Sequence, residues 1–457
     1  MAAAVQRDQR PNSGGDDDDD CPADATMAEA RALVEACGAD ASALNDAIRA
    51  GRSAAAVRAL GLGADASRAD RDGVPPLFVA AECGDAELVG ALLARRADPH
   101  ASAHPLLGAG ALWIAASRGH DACVARLLAA AAAAAGARGA ALVATDARGR
   151  SALHAACANG HAAMAALLLS ARAPADAQDA RGATALQLAC RAAHVGCARE
   201  LLAARADAER AAARTQPPLL LACAHAGAPE RAALLARELL AAGARAARAA
   251  EGGVTALMRA ALAGNAACVE LLLDHGADVD ARDAHGATAL THACAGGAPL
   301  RVVQLLCSRG AARAGAAERA RAALAPRAVV SWLERTVDYC TPLHHLQLTP
   351  PARARALLRA GGDVRAVVRP GAPTPLALAR ELAARGDAPD GSAAALVLAA
   401  AAPWSAATHA LRPARVRARA VELLLLGHAL AREPRFAGVG AALLDVWEAR
   451  VMPSALP

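Results

Sequence analysis

Apolar residues in this chain fall into short blocks at helical spacing, and the blocks come in pairs. In ALHAACANG, Ala152 to Gly160, the apolar positions suit one helix face, and Gly160 is placed to end that helix. His161 then opens a second helix, whose Leu167, Leu168 and Leu169 are predicted to face neighbouring units. In LLLDHGADVDARDAHG, Gly276 stands where a helix end needs a left-handed residue. The turn from Asp283 to Gly286 projects away from the helices. The whole pattern returns with a period of about 33 residues. Two clean copies are DARGRSALHAACANGHAAMAALLLSARAPADAQ (Asp146 to Gln178) and GGVTALMRAALAGNAACVELLLDHGADVDARD (Gly252 to Asp283). One such helix pair cannot bury its own apolar face, so the units must stack into an array.

The array predicts the domain organisation. Residues 1–26 are polar, Gly- and Asp-rich, with an acidic run from Asp16 to Asp20, and read as a disordered acidic tail. Residues 27–315 carry the main array, opening with a degenerate, cap-like unit at Ala43 to Ser67. Residues 316–338, containing RAVVSWLERTVD, interrupt it with helical character. Degenerate units return over 339–402, at CTPLHHLQL and APTPLALARELAARG, and the composition changes again over 403–457. The longest uncharged stretch, Gly391 to Leu411, contains Pro403 and His409 and is mostly Ala, so it reads as buried helix plus loop.

Composition agrees with helices. The hydrophobic fraction is 55% but aromatics are only 2%, so the apolar content is mainly Ala and Leu, which head the helix propensity scale. Every basic side chain is Arg, and the net charge of +5 is too nearly balanced to argue for nucleic acid. Cys157, Cys190, Cys223 and Cys294 share one repeat position, and Cys123, Cys197 and Cys268 share another, as small buried residues do. With no C-x-x-C pair, a reducing compartment is expected. The first twenty residues lack the apolar block of a secretory signal. The expected location is therefore cytoplasmic or nuclear, with no membrane span.

These residues resemble the ankyrin repeat family. Its pattern, G-x-T-P-L-H-x-A-A-x-x-G-H followed by V-x-x-L-L-L-x-x-G-A-D, is matched by GVTALMRAALAGN and CVELLLDHGAD. The Thr-Pro-Leu-His tetrapeptide is complete at Thr341 to His344, while Ala256 and Ala289 stand in the place of Pro. The resemblance extends over about residues 40 to 400, in about ten units. It implies an all-α repeat solenoid of helix-turn-helix pairs with β-turn fingers and a helical C-terminal cap. It also implies a non-enzymatic scaffold or adaptor that binds one or more proteins on its concave face and fingers. The segment PWSAATHALRPARVRAR resembles the end of many protist and algal ankyrin proteins. In position, 403–457 is also reminiscent of SOCS-box or F-box modules. The alternative reading is therefore a substrate receptor of a ubiquitin ligase, with 403–457 recruiting ligase subunits. The Leu-Cys-Arg signature of the SOCS box is missing.

Catalysis finds no support in motifs. There is no phosphate-binding G-x-x-x-x-G-K-[ST], no H-E-x-x-H and no G-x-S-x-G. No catalytic residue, cofactor or metal is expected. His120, His161 and His194 repeat at one position, His154 and His344 at another, which the resemblance assigns to helix starts and hairpin bonds. Candidates for partner contact are the finger residues Arg71, Arg148, Arg150, Arg181 and His285. To these are added the first-helix residues Glu82, Trp113, Arg118, Asn159 and Arg191, with Arg and Trp the common hot-spot types. An Arg-lined face favours an acidic or phosphorylated partner.

Overall fold

Each regular hairpin is started by a hydroxyl and stopped by a glycine. Thr184, Thr255 and Thr288 cap their helices, each accepting a backbone N–H from the third residue on. Ser151 and Thr341 do the same work with a histidine as partner, a capping box in which His154 or His344 folds back. Gly84, Gly119 and Gly160 then end their helices in the left-handed conformation. These features appear in a computed structural model. It describes residues 22–37, 41–98, 108–133, 142–212, 215–339, 341–367, 370–402, 405, 408–431 and 452. The acidic run Asp16–Asp20 and most of 403–457 lie outside the described residues. Among the described residues the fold is an all-α repeat solenoid, helix pair on helix pair, with isolated bridges and no sheet.

The chain divides into two units. The first runs to Ala192, with 203–206, and the second takes in 193–202 and 207–457. In the first unit an inner row of helices stacks in order: Ser42–Arg49, Pro76–Cys83, Ala111–Arg118, Ala152–Asn159, Ala185–Arg191. An outer row runs behind it: Ser53–Gly61, Ala86–Ala94, Asp121–Ala133, Ala162–Ser170. Helix Pro22–Ala36 packs on Ser53–Gly61, burying Ala30 and Leu33 against Ala55 and Ala59. The helix therefore begins inside the segment expected to be a polar tail.

In the second unit Pro218–Cys223, Ala256–Leu262 and Ala289–Ala295 form the inner row, and Pro229–Ala241, Ala266–Asp274 and Leu300–Ser308 the outer row. The interruption at 316–338 is a helical hairpin. Ala316–Ala322 packs on Ala289–Ala295, and Arg327–Arg335 folds back on it. The array resumes at Thr341, but its next inner helix is cut to the single turn Pro342–His344. The reason is local: Pro350 and Pro351 follow closely, and Pro351 can only open a helix, here Pro351–Arg359. That turn touches Leu300–Ser308 and Pro375–Ala384, and Pro351–Arg359 packs against Ala393–Ala401. The turn His409–Leu411 closes this last layer, with Arg359 Nε donating to the Ala410 carbonyl at 2.9 Å. Helix Ala414–Ala431 buries Val416, Ala420 and Leu423 against Met452.

Successive layers are keyed by a histidine resting on a glycine. His161 Nε2 donates to the Ser117 carbonyl at 3.1 Å, and His120 Nε2 to the Glu82 carbonyl at 3.0 Å. A Cβ placed on Gly119 would stand 2.6 Å from His161 Nδ1, and φ there is +81°. Gly119→Ala should therefore lose about 2 kcal/mol, from backbone strain together with the displaced histidine bond. Gly51 has a similar φ of +77° and nothing within 4 Å, so Gly51→Ala should lose only about 1 kcal/mol. Urea denaturation followed by circular dichroism checks the difference, and equal losses would remove the keying role.

Candidate functional site

The fingers are built by one aspartate each. Asp146 Oδ1 accepts the backbone N–H groups of Arg148 at 2.9 Å and Arg150 at 2.8 Å. Asp179 Oδ1 accepts those of Arg181 and Ala183, both at 2.8 Å. Asp70 and Asp283 repeat the arrangement. A carboxylate that accepts two N–H groups holds the turn by charge-assisted bonds. At Asp283 the Ala287 N–H and then the His292 ring lower the carboxyl pKa. Neighbouring fingers join through backbone: Ala180 N–H donates to the Arg148 carbonyl at 3.0 Å, and Ala284 N–H to the Gly252 carbonyl at 2.8 Å. His154 extends the same lacing, with Nδ1 2.8 Å from Ser151 Oγ and Nε2 donating to the Ala183 carbonyl at 3.2 Å. Burial lowers the pKa of His154. His344 lies 2.9 Å from Thr341 Oγ1 and donates to the Pro373 carbonyl at 3.1 Å. Both histidines are therefore spent on hairpin bonds.

The structure brings several of the candidate residues together. Trp113 sits on an inner helix at the position that His154 occupies in its own unit, and it is half-buried. The Arg150 guanidinium lies over its ring at 5.4 Å, a cation–π distance, and is tied to Asp146 at 2.7 Å. Arg118 and Glu82, on successive inner helices, form an ion pair at 2.8 Å. Asn159 reaches back from the following inner helix to the Ser117 carbonyl at 2.8 Å. Arg71, Arg148, Arg181 and His285 are exposed on finger tips, and Arg191 is exposed at the end of its inner helix. Arg71, Arg148, Arg150 and Arg181 stand in the first unit, His285 in the second.

Sequence reasoning missed a second cluster, in the second unit. The Arg313 guanidinium is drawn inward. It donates to the Thr336 carbonyl, to Thr336 Oγ1 at 3.0 Å and to His345 Nε2 at 2.7 Å, and it lies 5.1 Å over the Trp332 ring. Trp332 stacks on His345 at 5.7 Å, and Tyr339 stacks on His344 at 5.6 Å. Where the shortened inner helix stops, Trp332, Tyr339, His345 and Glu381 line a cleft of about 270 Å³. The available signal was the chain's one tyrosine, Tyr339, at the edge of the segment that departs from the repeat.

The repeat-position cysteines are buried and not joined in disulfides among the described residues, and burial pushes Cys190 up to about 12 and Cys123 up to about 11. Such thiols are unreactive packing groups. Among the described residues no helix is long and apolar enough to cross a membrane, and no group of three or more His, Cys, Asp or Glu is placed to hold a metal ion.

Comparison with known proteins follows this geometry. A family model described as ankyrin repeats, in three copies, matches residues 77–179, 112–212 and 219–313, together just over half of the chain. The ankyrin repeat domain of Bcl-3, described as a unique member of the IkappaB protein family, is 25% identical, with a TM-score of 0.42. That likeness covers 52% of this chain and 99% of the other. The human ASB11 ankyrin repeat domain is 27% identical with a TM-score of 0.42, over 51% of this chain and 97% of the other. No curated protein matches the chain.

Proposed function

The chain belongs to the ankyrin repeat family, whose domains generally mediate protein–protein interaction, and from that premise we propose that it is a non-enzymatic adaptor holding one or more protein partners. The inner helices and fingers of the first unit supply the face. One observation carries the choice: the pairing of Trp113 with Arg150. The indole Nε1 of Trp113 is buried with no hydrogen-bond partner among the described residues, a cost of about 1–3 kcal/mol. A phenylalanine would offer an aromatic face there without that cost. A tryptophan under an arginine instead has the composition of an interface anchor. The finger framework satisfies itself, so the exposed side chains are free to vary without loss of fold. Buried cysteines with no disulfide among the described residues support a reducing, cytoplasmic or nuclear setting.

Affinity capture with mass spectrometry on the full chain and on Trp113→Ala tests the reading. Partners held by the wild type should fall at least tenfold with the variant, as hot-spot truncation costs about 2 kcal/mol or more. Circular dichroism should show the fold retained. An unchanged partner set on a folded variant would remove this face from the reading.

A further inference from the structure

The chain as a whole is nearly neutral, but the fold sorts its charges at the fingers. The finger carboxylates are consumed inside the turns: the Asp146 side chain is only 4% exposed, with Oδ2 held by Arg150 Nε at 2.8 Å. Asp179 is likewise committed to two backbone N–H groups. The arginines of the same two fingers face the other way. Arg148 and Arg181 are exposed, and neither guanidinium has a carboxylate partner among the described residues. Arg191, exposed at the end of the neighbouring inner helix, has none either. This stretch of the first unit thus presents guanidiniums whose own counter-ions have been turned inward.

We propose that this edge binds an extended acidic peptide whose carboxylates recur at every third residue. The proposal rests on the reading of this face as the partner-holding one. Arg148 and Arg181 hold the same position in adjacent units, so they are separated by one layer of packed helices, about 10 Å. A peptide in the extended polyproline II conformation rises about 3.1 Å per residue with about three residues per turn, so three residues span one layer and bring the next carboxylate back to the same face. A guanidinium takes a carboxylate through two parallel N–H bonds, which gives each contact an orientation as well as a charge. Nucleic acid is the lesser fit, because a net charge of +5 on 457 residues supplies little long-range field.

The test is fluorescence anisotropy on the full chain. The probe is a labelled peptide of four Glu-Ser-Gly triplets, compared with its Gln-Ser-Gly counterpart and with a Glu-Ser-Gly-Ser repeat. The triplet peptide should bind in preference to both. Arg148→Glu with Arg181→Glu should weaken it at least tenfold and flatten its salt dependence. Arg148→Gln with Arg181→Gln, a milder change at exposed positions, should weaken it less but in the same direction. Equal binding by wild type and both double variants overturns the proposal. So does a single-stranded dT oligonucleotide that displaces the peptide at equal concentration. The two readings separate in partner capture. If Trp113→Ala loses partners that Arg148→Glu with Arg181→Glu keeps, the acidic-peptide inference falls and the adaptor stands. If neither variant loses any, both fall.

Discussion

Replacing Arg313 by alanine is expected to lower the unfolding free energy of the second unit by about 3 kcal/mol. The arginine joins three parts of the chain. It holds the end of the inserted hairpin through Thr336 and the shortened turn through His345 at 2.7 Å, and it covers Trp332. Alanine leaves the Thr336 carbonyl and His345 Nε2 without their donor in a buried place, where an unmet polar group costs about 1–3 kcal/mol. It also removes the cation–π contact, worth about 0.5–2 kcal/mol. Part of the loss is returned, since a buried cation itself carries a desolvation cost and burial lowers the Arg313 pKa. Urea denaturation of the full chain should show an earlier transition for Arg313→Ala. A midpoint equal to that of wild type would mean the junction is held by apolar packing alone.

The same contact makes the protein sensitive to acid. A guanidinium has only donors, so His345 Nε2 must offer its lone pair, and the ring must stay neutral. Burial first, then Arg313 and then His344, push the His345 pKa down to about 3. The unfolded chain protonates this ring near pH 6.5. Between pH 6.5 and about 3 the unfolded state therefore binds more protons, and stability falls as pH falls. At pH 5 the loss from His345 alone is about 2 kcal/mol, and near pH 3 about 4 kcal/mol. His154 and His344 are also lowered by burial, and they add in the same direction. Above pH 6.5 none of the three contributes a slope. His345→Gln keeps an acceptor for Arg313 and cannot take up a proton. Its urea midpoint should change less between pH 7 and pH 5 than that of wild type. Parallel shifts in the two proteins would assign the acid sensitivity elsewhere.

The regular units were legible because their rules are local. A hydroxyl three residues before its partner, a left-handed glycine, and an aspartate four residues before the N–H it accepts all lie within one reading window. The resemblance assigns His154 and His344 to hairpin bonds, and both make them. The junction was not legible, since Arg313 finds Thr336 and His345 at separations of 23 and 32 residues, with no motif between them. Nor could spacing show that Arg150 would lie over Trp113, or that Arg118 and Glu82 would pair from successive helices. The candidate residues were found by type and position, and their partners came only from the way the layers stack. The direction of the finger carboxylates was likewise hidden. An Asp-x-Arg-Gly turn reads as neutral in sequence, and only the geometry shows one charge spent and the other presented.

The shortened turn at Pro342–His344 has a mechanical consequence. Earlier in the second unit each layer grips the next along inner and outer helices, so tension passes from layer to layer. Here a single turn of inner helix carries the load between Leu300–Ser308 and Pro375–Ala384, braced laterally by the Arg313 guanidinium and the stacked Trp332 and Tyr339 rings. Pulled from its C-terminal end, the second unit has its breaking point built in at this place. The layers beyond Thr341 would peel away first and leave the stack up to Ser308 standing.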